Sequence, residues 1–173
     1  MPATLDPVAL RRSLRLSVAE GCAWALMVGL AESYFIAVGV YLGAAAVQLG
    51  LLVALPLALG ALGPLGTLGL LGLRPRRRPL AVAGVAVQVI VLASLSMLLA
   101  TGRLRLPLLI AAVCIYQMAG QAAGTAWASW YGDVVDPANR GRWFAFRNRA
   151  IYVATCVGLV SGGLIMHHLA PGG

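Results

Sequence analysis

Residues 80–100 read LAVAGVAVQVIVLASLSMLLA, a run with no charged side chain. As a helix rising about 1.5 Å per residue it would be roughly 30 Å long, the thickness of the hydrocarbon core of a bilayer. Four more runs of similar character lie on either side of it. Together they predict helices over about 17–41, 46–73, 80–100, 107–131 and 150–169. The whole chain agrees with this reading: 61% of its residues are hydrophobic and 10% charged, against about 45–50% and about 25% in soluble domains. A chain of 173 residues has too little interior to hide that much apolar surface from water. The expected fold class is therefore an all-α membrane protein with five transmembrane helices, organised as a single transmembrane helical domain over residues 1–173.

The charges are placed as unevenly as the apolar residues. All 13 basic residues are arginines, giving a net charge of +8. Arg11, Arg12 and Arg15 precede the first run. Arg74, Arg76, Arg77 and Arg78 separate the second from the third, and Arg140, Arg142, Arg147 and Arg149 separate the fourth from the fifth. Only Arg103 and Arg105 fall in the other connections. Arginine accumulates in cytoplasmic loops, so this distribution predicts a multi-pass protein of the plasma (bacterial inner) membrane with a cytoplasmic N-terminus. The first run is about 25 residues long and carries Glu20 and Glu32. A cleavable secretory signal has an apolar stretch of only about 7–15 residues, so an uncleaved first helix is expected.

The most charged segment, DVVDPANRGRWFAFRNR (133–149), reads as the cytoplasmic loop between the fourth and fifth helices. Asp133, Asp136, Arg140, Gly141 and Arg142 are its marked residues. Proline disfavours helix at Asp136, and Gly141 permits a turn. Arginine interleaved with Trp143, Phe144 and Phe146 can signal nucleic acid. Between two membrane runs it fits an interfacial belt instead, where amphipathic rings sit at headgroup depth. Membrane lipid is thus an expected partner and nucleic acid is not.

The second run repeats glycine every third residue, Gly60, Gly63, Gly66, Gly69 and Gly72, around Pro64. Small residues let membrane helices approach closely, so this predicts a packing seam or sliding surface, kinked at the proline. Ala154, Gly158 and Gly162 repeat every four in the fifth run and also fit close packing.

Few polar groups could carry chemistry. Glu32, beside Ser33 and Tyr34, lies inside the first helix, where a charge costs about 2.5–3.5 kcal/mol on insertion scales. Such a group marks an ion pathway by default, and a buried carboxyl is a candidate proton carrier; the alternatives are a protonated packing residue or a position nearer the outer surface. Glu20 lies about 120° away on the same helix and is expected to pair with a nearby arginine. Gln117, Gln121, Thr125 and Ser129 form a slanted polar stripe on the fourth helix, flanked by Tyr116 and Trp127. Such a stripe lines an aqueous cavity or bonds a neighbouring helix. Cys22, Cys114 and Cys156 have no spacing that suggests a disulfide framework or zinc site. Adjacent His167 and His168 diverge by about 100° on a helix, so no shared metal is expected. No catalytic motif is present, and neither enzyme activity nor a cofactor is expected.

At the level of motifs the chain resembles the major facilitator superfamily of transporters. The resemblance is carried by the first helix pair, AEGCAWALMVGLAESYFIAVGVYLGAAAVQLGLLVALPLALGALG (19–63), with its tight turn YLGAAAVQLGLL leading into a proline-bearing second helix. RPRRR (74–78) sits where that family has its inner-loop motif, and DPANRGRWFAFRNR (136–149) resembles its loop between helices four and five. Aligned on its arginines, the segment Gly69 to Arg78, with Arg74, Arg77 and Arg78, has Leu73 where the family's inner-loop motif has an acid and Arg76 where it has a second glycine. The fourth helix lacks the arginine of the proton-antiport drug exporters. The resemblance implies a truncated N-terminal six-helix half: the N-terminal portion of a secondary active, alternating-access transporter of a small solute. Glu32, Tyr34, Tyr116, Gln117, Gln121 and Thr125 are its pathway candidates, a proton is a candidate coupling ion, and a C-terminal half or partner membrane chain is the expected complement. A non-transporting membrane subunit and a non-functional remnant are the alternatives.

Overall fold

The computed structural model describes residues 7–73, 77–135 and 138–169, with the side chains of Pro7, Ala9, Leu70, Leu71, Gly72, Leu73, Asp133, Val134 and Leu169 outside the description. The described residues are helical throughout apart from short turns, with no strand among them. The helices are α1 (Pro7–Leu30), α2 (Phe35–Tyr41), α3 (Ala46–Gly60), α4 (Leu62–Leu73), α5 (Arg77–Ala100), α6 (Leu106–Val134) and α7 (Arg140–Leu169). They make five stretches long and apolar enough to cross a membrane: Leu10–Tyr41, Ala46–Gly69, Arg77–Ala100, Leu106–Gly132 and Arg140–His168.

Three boundaries differ from the sequence reading. α1 starts at Pro7 rather than near residue 17, and α7 at Arg140 rather than near 150. In both places the apolar run is preceded by an arginine-rich stretch that hydropathy excludes from a span but that nothing excludes from a helix, since arginine is a good helix former. Most of the segment read as a loop, Arg140 and Arg142 included, is therefore the first turns of α7. Gly141 is helical, not a turn; the turn lies at Ala138 and Asn139. The third difference is a break in the first span. α1 ends at Leu30, Ala31 is a turn, and Glu32–Tyr34 form one turn of 3-10 helix before α2 resumes. The Ser33 hydroxyl donates to the Val28 carbonyl at 3.1 Å, engaging one of the carbonyls freed where the ladder stops.

The second span is interrupted at Ala61. Pro64, three residues further on, has no N–H to offer the Gly60 carbonyl, and its ring crowds that oxygen. Ala61 itself keeps a right-handed backbone (φ −61°, ψ −21°). Two turns between spans are built alike. Gly43 (φ +75°) and Gly102 (φ +65°) adopt the left-handed conformation. Ala44 N–H reaches back to Gly39 O at 3.0 Å and Arg103 N–H to Leu98 O at 2.9 Å, the six-to-one bond that closes a glycine-ended helix. Gln48 Oε1 then accepts the Ala45 N–H at 2.9 Å, capping α3.

By contact the chain divides into two compact units, Met1–Tyr34 with Val134–Gly173, and Phe35–Asp133. The first is the pair α1 and α7, and the second holds α2 to α6.

Candidate functional site

In the first unit, Ser17, Gly21, Ala25 and Gly29 fall every four residues along α1 and all are buried. Four residues on an α-helix return almost to the same side, so these small side chains form one slowly winding groove. α7 lies in it. A Cβ at Gly29 would stand 2.5 Å from the Thr155 carbonyl oxygen and 2.8 Å from the Leu159 nitrogen, and one at Gly158 would stand 2.9 Å from the Leu26 oxygen. The two backbones touch because neither position has a side chain, as small-residue seams in membranes allow. Partners rise together along the two helices, Gly21 with Arg147 and Ile151, Gly29 with Thr155 and Gly158, and Tyr34 with Leu159 and Gly162. α1 and α7 therefore run parallel, the direction expected of two spans with three others between them.

Arg147 closes the basic end of the seam. Its guanidinium lies over Gly21, where a Cβ would come within 2.7 Å of Nη2. Nε donates to the Ser17 carbonyl at 3.4 Å, and Nη2 stands 3.8 Å from Glu20 Oε2. Glu20 thus meets an arginine as its position predicts. Its side chain is 54% exposed while that of Arg147 is 11% exposed, so the contact's worth lies more in packing the guanidinium than in Coulomb attraction. At the other end the Tyr34 ring fills the notch left by Gly162 and Gly163, and its hydroxyl donates to the Leu159 carbonyl at 2.6 Å. Half-buried Glu32 sits two residues earlier, on the 3-10 turn that interrupts the span.

In the second unit α6 is the hub. Its neighbour on one side is the glycine run: a Cβ at Gly60 would meet Gln117 Cγ at 3.0 Å, and one at Gly63 would meet the Met118 carbonyl oxygen at 2.5 Å and Gln121 Cβ at 3.2 Å. The Thr67 hydroxyl, one turn beyond, lies 3.0 Å from Gly63 O and 3.2 Å from Ala122 O, a single proton shared between its own helix and α6. On another side Gly84 of α5 meets the Ala119 carbonyl oxygen, and Gln88, 2% exposed, packs its amide on Gly120. Tyr116 is fully buried, edge-on to Phe35 at 5.5 Å.

The polar stripe on α6 is thus divided. The aliphatic parts of Gln117 and Gln121 pack on Gly60 and Gly63. The Thr125 hydroxyl turns back to the Gln121 carbonyl at 2.9 Å. The Ser129 carbonyl receives Arg77 Nη1 from α5 at 2.9 Å. Trp127 stacks on Tyr131, 4.7 Å between centroids and 20° between planes. Glu32 and Tyr34 belong to the first unit and Tyr116, Gln117, Gln121 and Thr125 to the second.

Of the inner-loop motif, Arg74 and Arg76 lie outside the described residues, as does Asp136 of the segment after α6. The side chain of Asp133 lies outside them too. Gly69 and Gly66 meet nothing within 4 Å of a built Cβ, so they lie off the face of the glycine run that carries Gly60, Gly63 and Thr67 against α6. Arg78 is exposed. Arg140 donates from Nη2 to the Val135 carbonyl at 3.4 Å, closing the turn before α7. The residues that sequence reasoning passed over are Gln48, Thr67, Gln88 and the Ser17–Gly21–Ala25–Gly29 groove. Only the last had a readable signal, its spacing of four.

Comparison with protein-family models, with curated proteins and with solved structures gave no match. What the chain's own residues define is a helical protein with five helices long and apolar enough to cross a membrane.

Proposed function

We propose that this chain is the N-terminal portion of a secondary active transporter that moves a small solute by alternating access, with Glu32 as a proton-coupling group. The observation that carries the proposal is where Glu32 sits. It lies within the apolar span Leu10–Tyr41, at the point where that span stops being an α-helix. An ionisable group inside a membrane segment marks an ion or substrate path by default. Interrupted helices are where transporters place such sites, because the freed backbone groups become available to a ligand. Tyr34, Tyr116, Gln117, Gln121 and Thr125 are the further polar candidates, and a C-terminal half or partner membrane chain would complete the path. The arginine distribution supports a plasma-membrane protein with a cytoplasmic N-terminus. The inner connection 74–78 would lie on the same side.

A second reading, a subunit that docks on another membrane chain without transporting, is favoured by Gly66 and Gly69. These open a second face of the glycine run, where a Cβ would meet nothing within 4 Å among the described residues.

Accessibility separates the two. With Cys22, Cys114 and Cys156 replaced by serine, an E32C variant in intact membranes should react with a water-soluble, membrane-impermeant maleimide from one side. An E32C thiol that reacts only after detergent is added would remove Glu32 from any aqueous path and with it the coupling role.

A further inference from the structure

We infer that the outward face of α7 is a binding surface for a phospholipid with an anionic headgroup. Counting about 100° per residue, Arg142, Phe146, Arg149, Val153, Val157 and Val160 fall within about 80° of one another. All six are exposed. Arg140 and Arg147 point the other way: one is tied to the Val135 carbonyl and the other is packed on α1. The face is ordered along its length, two guanidinium groups with an aromatic ring between them and then aliphatic side chains alone. From Arg149 to Val160 the helix rises about 16 Å, roughly half of a 30 Å hydrocarbon core and so the depth of one leaflet. This is the profile of a phospholipid, phosphate first and acyl chain below it. The ring of Phe146, 55% exposed, falls between the two arginines, where the headgroup region gives way to the chains.

Charge selects the headgroup. Because α1 and α7 run parallel, the exposed Arg11, Arg12 and Arg15 of α1 share the same end as Arg142 and Arg149. In the stretches 1–20 and 136–149 seven arginines stand against Asp6, Glu20 and Asp136. A zwitterionic lipid gains little from such an excess, whereas an anionic one gains with each arginine near its phosphate. The inference does not depend on the chain transporting anything.

The test uses the full chain, purified in a neutral detergent and offered equal amounts of phosphatidylglycerol and phosphatidylcholine with the same acyl chains. Native mass spectrometry counts the lipids retained. The wild type should keep phosphatidylglycerol in preference, and R142Q/R149Q should lower that preference about tenfold or more. R142K/R149K, which keeps both charges, and R103Q/R105Q, which alters a different connection, should retain it. Raising the salt concentration on the wild type should erode the preference without any mutation. The inference is overturned if R142Q/R149Q keeps the wild-type preference at unchanged helical content, if R103Q/R105Q loses as much, or if the wild-type preference is absent or indifferent to salt.

Discussion

The same substitution, glycine to alanine, should have opposite signs at two positions of this chain. At Gly29 the added Cβ would stand 2.5 Å from the Thr155 carbonyl oxygen, against an ordinary contact of 3.4 Å or more. The obstruction is backbone on backbone, with Leu159 N and Gly158 C also inside 3 Å, so no rotamer change relieves it. α1 and α7 must part by close to 1 Å at that level. The Tyr34 hydroxyl bond to Leu159 O, now 2.6 Å, lies a little over one turn away and would stretch towards the length at which a hydrogen bond ceases to be one. Overpacking costs about 1–3 kcal/mol and a lost interhelical bond in a membrane about 0.6 kcal/mol, against up to about 1 kcal/mol gained in helix propensity, so G29A should destabilise by roughly 1–3 kcal/mol. At Gly66, also inside a helix, a Cβ meets nothing. There alanine brings only its better helix propensity, and G66A should stabilise by up to about 1 kcal/mol. Helicity followed through a denaturing-detergent titration of the purified chain measures both. A G29A protein at least as stable as wild type would refute the close parallel seam between α1 and α7, whatever G66A did.

Two further outcomes follow from single contacts and a third from the arginine distribution. Y34F removes the hydroxyl donated to Leu159 but keeps the ring in the Gly162 notch, so it should cost about 0.6–1.7 kcal/mol in the same titration. T67V, nearly isosteric and fully buried, should cost a similar amount through the lost link to Ala122, and an unchanged midpoint would show that the contact contributes nothing. Topology reporters placed after Arg78 and after Arg105 should surface on opposite sides of the membrane; finding them in one compartment would overturn the five-crossing arrangement.

What the sequence made legible was local. A run such as 80–100 identifies itself, because length and the absence of charge are properties of the run alone. Where a helix ends is a different question, and the boundaries at Pro7 and Arg140 show why. Hydropathy measures where lipid could surround a helix, while helix propensity and capping decide where the backbone ladder stops. The arginines before the first and fifth runs leave the lipid without leaving the helix. Pro64 could be read because its missing N–H has a fixed victim, the carbonyl four residues back, and the interruption at Ala61 sits beside it. The break at Ala31 has no proline and gave no such warning.

Which faces meet was the least legible of all. In water an apolar face announces that it will be buried, but in lipid an apolar face is satisfied wherever it lies, so hydropathy cannot choose between partners. Only the absence of a side chain leaves a trace, and the trace is permissive. Gly60 and Gly63 touch α6, whereas at Gly66 and Gly69, in the same period, a Cβ would meet nothing within 4 Å among the described residues. The polar stripe on α6 makes the same point in reverse. Its spacing of four was correct geometry, yet Gln117 and Gln121 rest on Gly60 and Gly63 while Thr125 bonds its own helix. Residues aligned on one face need not share one role. A side chain's task in a membrane is set by what stands within about 4 Å of it, and that is decided by the neighbouring helix rather than by the stripe to which it belongs.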